Sequence, residues 1–237
     1  PDENTAQGLV HAPYMTDPGQ KVDDDRRTSL IVDPPDGRIP PLTAEAQQRV
    51  ATRRTGGRDG GTDGPENRGS LERCITWGLP TAILPGLYNN NIRILQGPGY
   101  VAITHEMVHD TRVIPLDGRP ALSSKMQQWF GDSRGHWEGA TLVVETRNFS
   151  DKLPYRGSGS TFHMTERFTR TGRNSVEYRL TVDDPHTWTK PWTLEEKMRT
   201  SEGELYEYAC HEGNYAMHNI LEEARDAEKA AAAATRP

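Results

Sequence analysis

The chain has 237 residues with 33% hydrophobic side chains, 22 glycines and 17 prolines, which predicts one modest core beneath much ordered loop. Its net charge of −6 is made of interspersed acidic and basic residues, so no basic stripe points to nucleic acid or to an anionic membrane surface. No apolar run approaches the ~20 residues that a membrane helix needs.

In chain order, residues 1–27 read as an extended polar arm, with Asp23, Asp24 and Asp25 followed by two arginines. Leu30 to Val32 predicts a short strand, after which prolines impose turns. TAEAQQRVATRR (43–54) predicts a helix with Thr43 as N-cap and Glu45 in the first turn. The glycine-rich stretch 56–70 predicts a flexible loop.

From about residue 92 the pattern becomes that of strands: IRIL, GYVAIT, TRVIPLDG, then GHWEGATLVVETRNF with Glu-Gly between two strand-like halves. FHMTERFTRTGRNSVEYRLTVDDP, TKPWTLEEKMRT and GELYEYACHE continue the series. Strands every 10–15 residues, with no helices between them, predict a mainly β fold: an antiparallel meander forming a barrel or half-barrel, lipocalin-like. NYAMHNILEEARDAEKAAAAA predicts a closing helix capped by Asn214, its alanine tail frayed. The expected organisation is 1–70 as arm, short helix and flexible loop, 71–213 as the β domain, and 214–237 as helix and tail.

Two cysteines 136 positions apart, Cys74 and Cys210, fit neither a zinc knuckle nor a redox Cys-x-x-Cys. In a loop-rich chain they predict a disulfide and an oxidising compartment, periplasmic or extracellular. Two buried free thiols are the alternative.

Alternation decides which ionisable residues point inward. In FHMTERF, Glu166 shares a face with Phe162, Met164 and Phe168; in PWTLEEKM, Glu196 shares one with Trp192, Leu194 and Met198. A buried carboxylate is costly unless paired. Unpaired, it is a general-acid candidate with a raised pKa; paired to an arginine such as Arg134, it ties strands together. Tyr208 and Glu212 of YEYACHEGNYAM (206–217) are expected to face the same cavity.

HEMVH (105–109) matches His-Glu-x-x-His, the zinc-hydrolase pattern, which works on a helix where the histidines share a face. The flanking residues are strand-like. Extended chain would hold His105 and His109 about 13 Å apart at ~3.3 Å per residue, beyond one zinc ion. A turn at Met107 and Val108 would rescue proximity, with Glu166 or His211 as third ligand. FGDSRGHWEG reads as a turn braced by Asp132 and Arg134, or as a binding loop. Asn90, in an asparagine run, caps a turn or meets a polyhydroxylated ligand. Trp192, with Trp188, is core or a stacking platform.

The stretches SLIVDPPDGRIPPLT, LPGLYNNN, EMVHDTRVIPLDGRP, FGDSRGHWEGATLVVETRNF, VDDPHTWTKPWT and YEYACHEGNY resemble an uncharacterised family of exported bacterial proteins over about residues 28–225. The resemblance implies export and brings no reaction with it. Its pattern includes Glu106, His109, Asp110 and Arg112 and does not clearly include His105, which weakens the zinc reading and favours His109.

The expected function is therefore an exported enzyme without cofactor. It would perform acid–base chemistry, as a lyase, isomerase or hydrolase, on a small polar, carbohydrate-like substrate. Glu166 and His109 are the expected catalytic pair, and Glu212, Tyr208, Arg112, Arg134, Trp192 and Asn90 the substrate contacts. The alternatives are a non-catalytic small-ligand-binding protein and a zinc hydrolase using His105 and His109. Oligomeric state is not legible in the residues.

Overall fold

The computed structural model describes residues 27–52, 61–86 and 88–234. Residues 1–26 of the predicted polar arm and residues 56–60 of the predicted flexible loop 56–70 lie outside the described residues, while Pro65–Asn67 of that loop form a single 3-10 turn.

The predicted helix forms as α1, Ala44–Thr52, and its start follows from local chemistry. Thr43 Oγ1 accepts from the Ala46 N–H at 3.1 Å, as an N-cap should. Arg49, one turn beyond Glu45, donates to it at 2.6 Å and to His186 O at 2.9 Å, seating the helix on the 183–191 loop.

The strands are β1 (Ile31–Asp33), β2 (Ile92–Gly97), β3 (Tyr100–His105), β4 (Thr111–Pro115), β5 (Asp132–Glu138), β6 (Thr141–Arg147), β7 (Met164–Gly172), β8 (Ser175–Val182) and β9 (Trp192–Arg199). They pair as two antiparallel sheets, in the orders β1-β9-β8-β7-β6-β5 and β2-β3-β4. The fold is thus mainly β, as alternation predicts; of the expected barrel or half-barrel, no closed barrel forms among the described residues. Ladder hydrogen bonds stop at β4 on one sheet and at β5 on the other.

Side-chain packing takes over at that junction. A Cβ on Gly135 of β5 would stand 2.8 Å from both Ile114 Cγ2 and Leu116 Cδ2, so only glycine lets β4 lie this close. The inward faces share one core. Val101, Ile103 and Ile114 of the small sheet meet Val144, Met164, Leu180 and Trp192 of the large one. In the first half of β7 every second residue, Met164, Glu166 and Phe168, is buried. Threonine pairs at Thr141–Thr169 (2.9 Å) and Thr181–Thr193 (3.0 Å) bridge neighbouring strands off the core.

Three expectations fail locally. The turn predicted around Asp132 and Arg134 is already strand β5, turning only at Gly139 and Ala140. GELYEYACHE makes no strand: residues 204–210 are irregular, Tyr206 is 73% exposed, and Ala209 has φ 24°. The disulfide Cys74–Cys210, with Cα atoms 5.6 Å apart, pulls this segment onto residues 71–74 rather than into a sheet. The closing helix α2, Tyr215–Ala234, continues through its alanines. Asn214 before it donates its amide to Glu72 O at 2.8 Å. No helix among the described residues is long and apolar enough to cross a membrane.

Candidate functional site

Two places combine polar chemistry with enclosure: a buried cluster between the sheets, and a cleft that opens beside it.

The cluster centres on Glu166, which alternation places inside and which is 0% exposed. Its partner is Arg112 of β4, also buried. Nη1 donates to Oε2 and Nη2 to Oε1, both at 2.6 Å, a two-pronged pair across the sheet junction. The Tyr178 hydroxyl adds a third bond to Glu166 Oε1 at 3.0 Å. Burial, followed by the Glu166 carboxylate, holds the Tyr178 phenol well above its usual pKa. Of the two sequence readings, the arginine pairing is present at Glu166, with Arg112 rather than Arg134 as partner. Arg112 serves it as counter-ion. Tyr178 is the member that sequence reasoning passed over, although alternation in VEYRLTV puts it inside with Leu180 and Val182.

His105, 0% exposed, projects from β3 into the same interior. Its Nδ1 donates to Ala82 O at 2.9 Å, and Nε2 meets no hydrogen-bond partner among the described residues. Burial, helped by Arg112, lowers its pKa to about 3, so the ring is neutral. The rest of the motif faces elsewhere. Glu106 accepts from the Asn91 N–H at 3.0 Å and from Asn91 Nδ2 at 2.9 Å. Asp110 accepts from Thr76 Oγ1 at 2.7 Å and from the Trp77 N–H at 3.3 Å. His109 is exposed, on a tight turn with φ 41°. The predicted turn exists, yet it sends one histidine inward and the other into solvent. Among the described residues no three potential metal-ligating side chains gather. HEMVHD acts here as a clamp that fastens the 76–91 loop to the small sheet.

The cleft encloses about 710 Å³ between β2 and the ends of β6–β9. Its floor is apolar, with Ile83, Leu142, Phe168, Val176 and Met198. Glu196, directly across from Tyr178 in the β8–β9 register, brings a carboxylate to it. Arg93, Arg170, Arg173 and Arg199 also line it.

The other expected contacts scatter. Asn90 lines the cleft, but its amide is engaged by Gly86, accepting from N–H at 2.6 Å and donating to O at 3.1 Å. Arg134 pairs with Asp132 at 2.5 Å and donates to Pro120 O at 3.2 Å, bracing a loop. Trp192 is fully buried, edge-on to Trp188 at 5.7 Å, and is core rather than platform. Tyr208 and Glu212 line a separate depression of about 370 Å³ beside the disulfide, where Glu212 is exposed. The structure thus unites Glu166 with Arg112 and leaves His109, Glu212 and Tyr208 apart from them. No protein-family model, curated protein or solved structure matches the chain.

Proposed function

We propose that this is an exported ligand-binding protein whose site is the cleft between β2 and the ends of β6–β9. The observation that carries the reading is the cleft itself. Its volume of about 710 Å³ lies within the range of organic-ligand pockets, and an apolar floor meets a few charged groups there. Binding is favoured over catalysis because Glu166, the expected acid, has its charge matched by Arg112 and its oxygens occupied. His109, the expected base, stands in solvent. The disulfide agrees with a periplasmic or extracellular location.

The test is a thermal-shift screen of sugars, organic acids and peptides. A ligand at 100 times its Kd adds about 2.7 kcal/mol, which raises the Tm of a chain this size by roughly 5–10 °C. Met198→Trp, which fills the floor, should erase that shift while the unliganded protein still melts cooperatively. A panel with no shift, or a shift that survives Met198→Trp, would sink the proposal. One observation favours a second, catalytic reading: Glu196 reaches the cleft beside Tyr178. In that case some ligand is turned over, and Glu196→Gln abolishes turnover while keeping the thermal shift.

A further inference from the structure

The cleft is lined by five consecutive residues of β2, Ile92 through Gln96. Successive side chains of a strand point to opposite faces, so one face cannot supply all five. A cleft that touches every residue must run along the edge of the strand, where backbone is offered. Among the described residues β2 pairs only with β3, which leaves its other edge to the cleft.

The register identifies the groups on that edge. Gly97 and Tyr100 flank a two-residue turn and form the first pair of the hairpin. Antiparallel pairs alternate between bonded and non-bonded, so Leu95–Ala102 and Arg93–Thr104 exchange the ladder bonds. Asn91–Glu106 continues the series, and there the Glu106 N–H donates to Asn91 O at 2.9 Å. The N–H and C=O groups of Ile92, Ile94 and Gln96 therefore point away from β3, into the cleft. Two-residue spacing along β2 repeats at about 7 Å, the same interval as in any extended peptide.

We propose that the occupant of the cleft is an extended acidic polypeptide segment that adds a strand to β2. This rests on the reading of the cleft as a binding site and names its ligand. Two features argue for such a partner. Soluble proteins guard open edges with charged side chains, proline or bulges, whereas β2 carries a single charge, Arg93, has no proline or bulge, and exposes Ile94 (36%) and Leu95 (51%). The ionisable residues lining the cleft are four arginines, Arg93, Arg170, Arg173 and Arg199, against two glutamates, Glu196 and Glu204. That local positive balance, in a chain of net charge −6, complements acidic side chains. Alternate apolar side chains of the peptide would rest on Phe168 and Met198, as pockets do in strand addition.

The experiment measures binding of fluorescent heptapeptides that alternate Asp or Glu with Val or Leu. The comparisons are the same peptides N-methylated at alternate positions, and Lys counterparts. Acidic peptides should bind at least tenfold tighter than Lys peptides, and N-methylation in one of the two phases should abolish binding. Ile94→Pro should weaken binding more than tenfold while the far-ultraviolet spectrum is kept, because that N–H serves no ladder bond. N-methylated peptides that bind equally in both phases, or Lys peptides that bind as tightly, would overturn the inference. So would a dimer that Ile94→Pro dissolves without any peptide binding, which would assign the edge to a second copy. Small molecules that bind where no peptide does would refute strand addition and leave the binding cleft standing; silence from both classes would refute the two together.

Discussion

Residues 105–112 and 206–217 are equally crowded with histidine, glutamate and tyrosine or arginine, and the fold treats them in opposite ways. The first segment is woven in. His105 and Arg112 are buried, and Glu106 and Asp110 each grip another part of the chain. The second stays outside, with Tyr206, His211 and Glu212 exposed, and is held by a covalent bond and by Asn214. A cluster of reactive side chain types is thus no measure of a site. What matters is whether the strand carrying them has a buried face.

The largest effect that separates the two segments is acid sensitivity. His105 ionises near 6.5 in the unfolded chain and near 3 when folded. Below 6.5 the unfolded state takes up the proton first, so the neutral buried ring supports the fold above 6.5. That support is lost as pH falls toward 3. The loss is on the order of 4–5 kcal/mol. Urea titrations between pH 7 and 4 should show wild type weakening more steeply than His105→Asn, which keeps a donor for Ala82 O. His211 of the second segment is exposed, so His211→Asn should leave stability at pH 7 within about 0.5 kcal/mol of wild type. Parallel slopes for wild type and His105→Asn would break the comparison.

Next comes Arg112→Met. It strands Glu166 in the core with only the Tyr178 hydroxyl as donor. Removing one partner of a buried pair costs about 3–5 kcal/mol. Denaturation at pH 7 should show that loss, and Arg112→Met with Glu166→Leu should recover most of it, since an apolar replacement of the whole pair is often neutral. A single variant as stable as wild type would mean that water reaches Glu166.

The disulfide ranks third. Replacing Cys74 and Cys210 by serine opens a loop of 136 residues and should cost about 2–5 kcal/mol. Amide exchange should quicken over 204–214 well before it does in β7 and β8. Uniform loosening would mean that the second segment belongs to the cooperative core after all.

Much of this was legible in the residues. Period-two alternation found Glu166 inside, the Glu-Gly pair marked the β5–β6 hairpin, and Thr43 marked the start of α1. Alternation reports a buried face but not what lies opposite. Arg112 is 54 positions from Glu166, and only the packing of β4 against β5, permitted by Gly135, brings the two together. The same limit explains the failed strand at 205–212. Its apparent alternation is real in the letters, but the disulfide partner 136 positions away decides where it goes. The cleft was illegible for a different reason: one of its walls is the unpaired edge of β2, which reads as an ordinary apolar strand.

The smallest effect bears most directly on how the buried segment holds its charge. Tyr178→Phe removes one hydroxyl and leaves both Arg112 bonds to Glu166 in place. A hydrogen bond to a charged group contributes about 1.5–3 kcal/mol. Because the carboxylate keeps its counter-ion, the loss should fall near the lower end of that range. A double-mutant cycle with Glu166→Gln should then show coupling, since each side chain's cost depends on the other. Additive losses would mean that the ring is packed core whose hydroxyl is incidental. Coupling would make Tyr178 part of the polar tie, one strand pair away from Glu196 and the cleft. A ligand that reaches Glu196 would then be felt by the junction between the two sheets, whereas the disulfide corner would not register it.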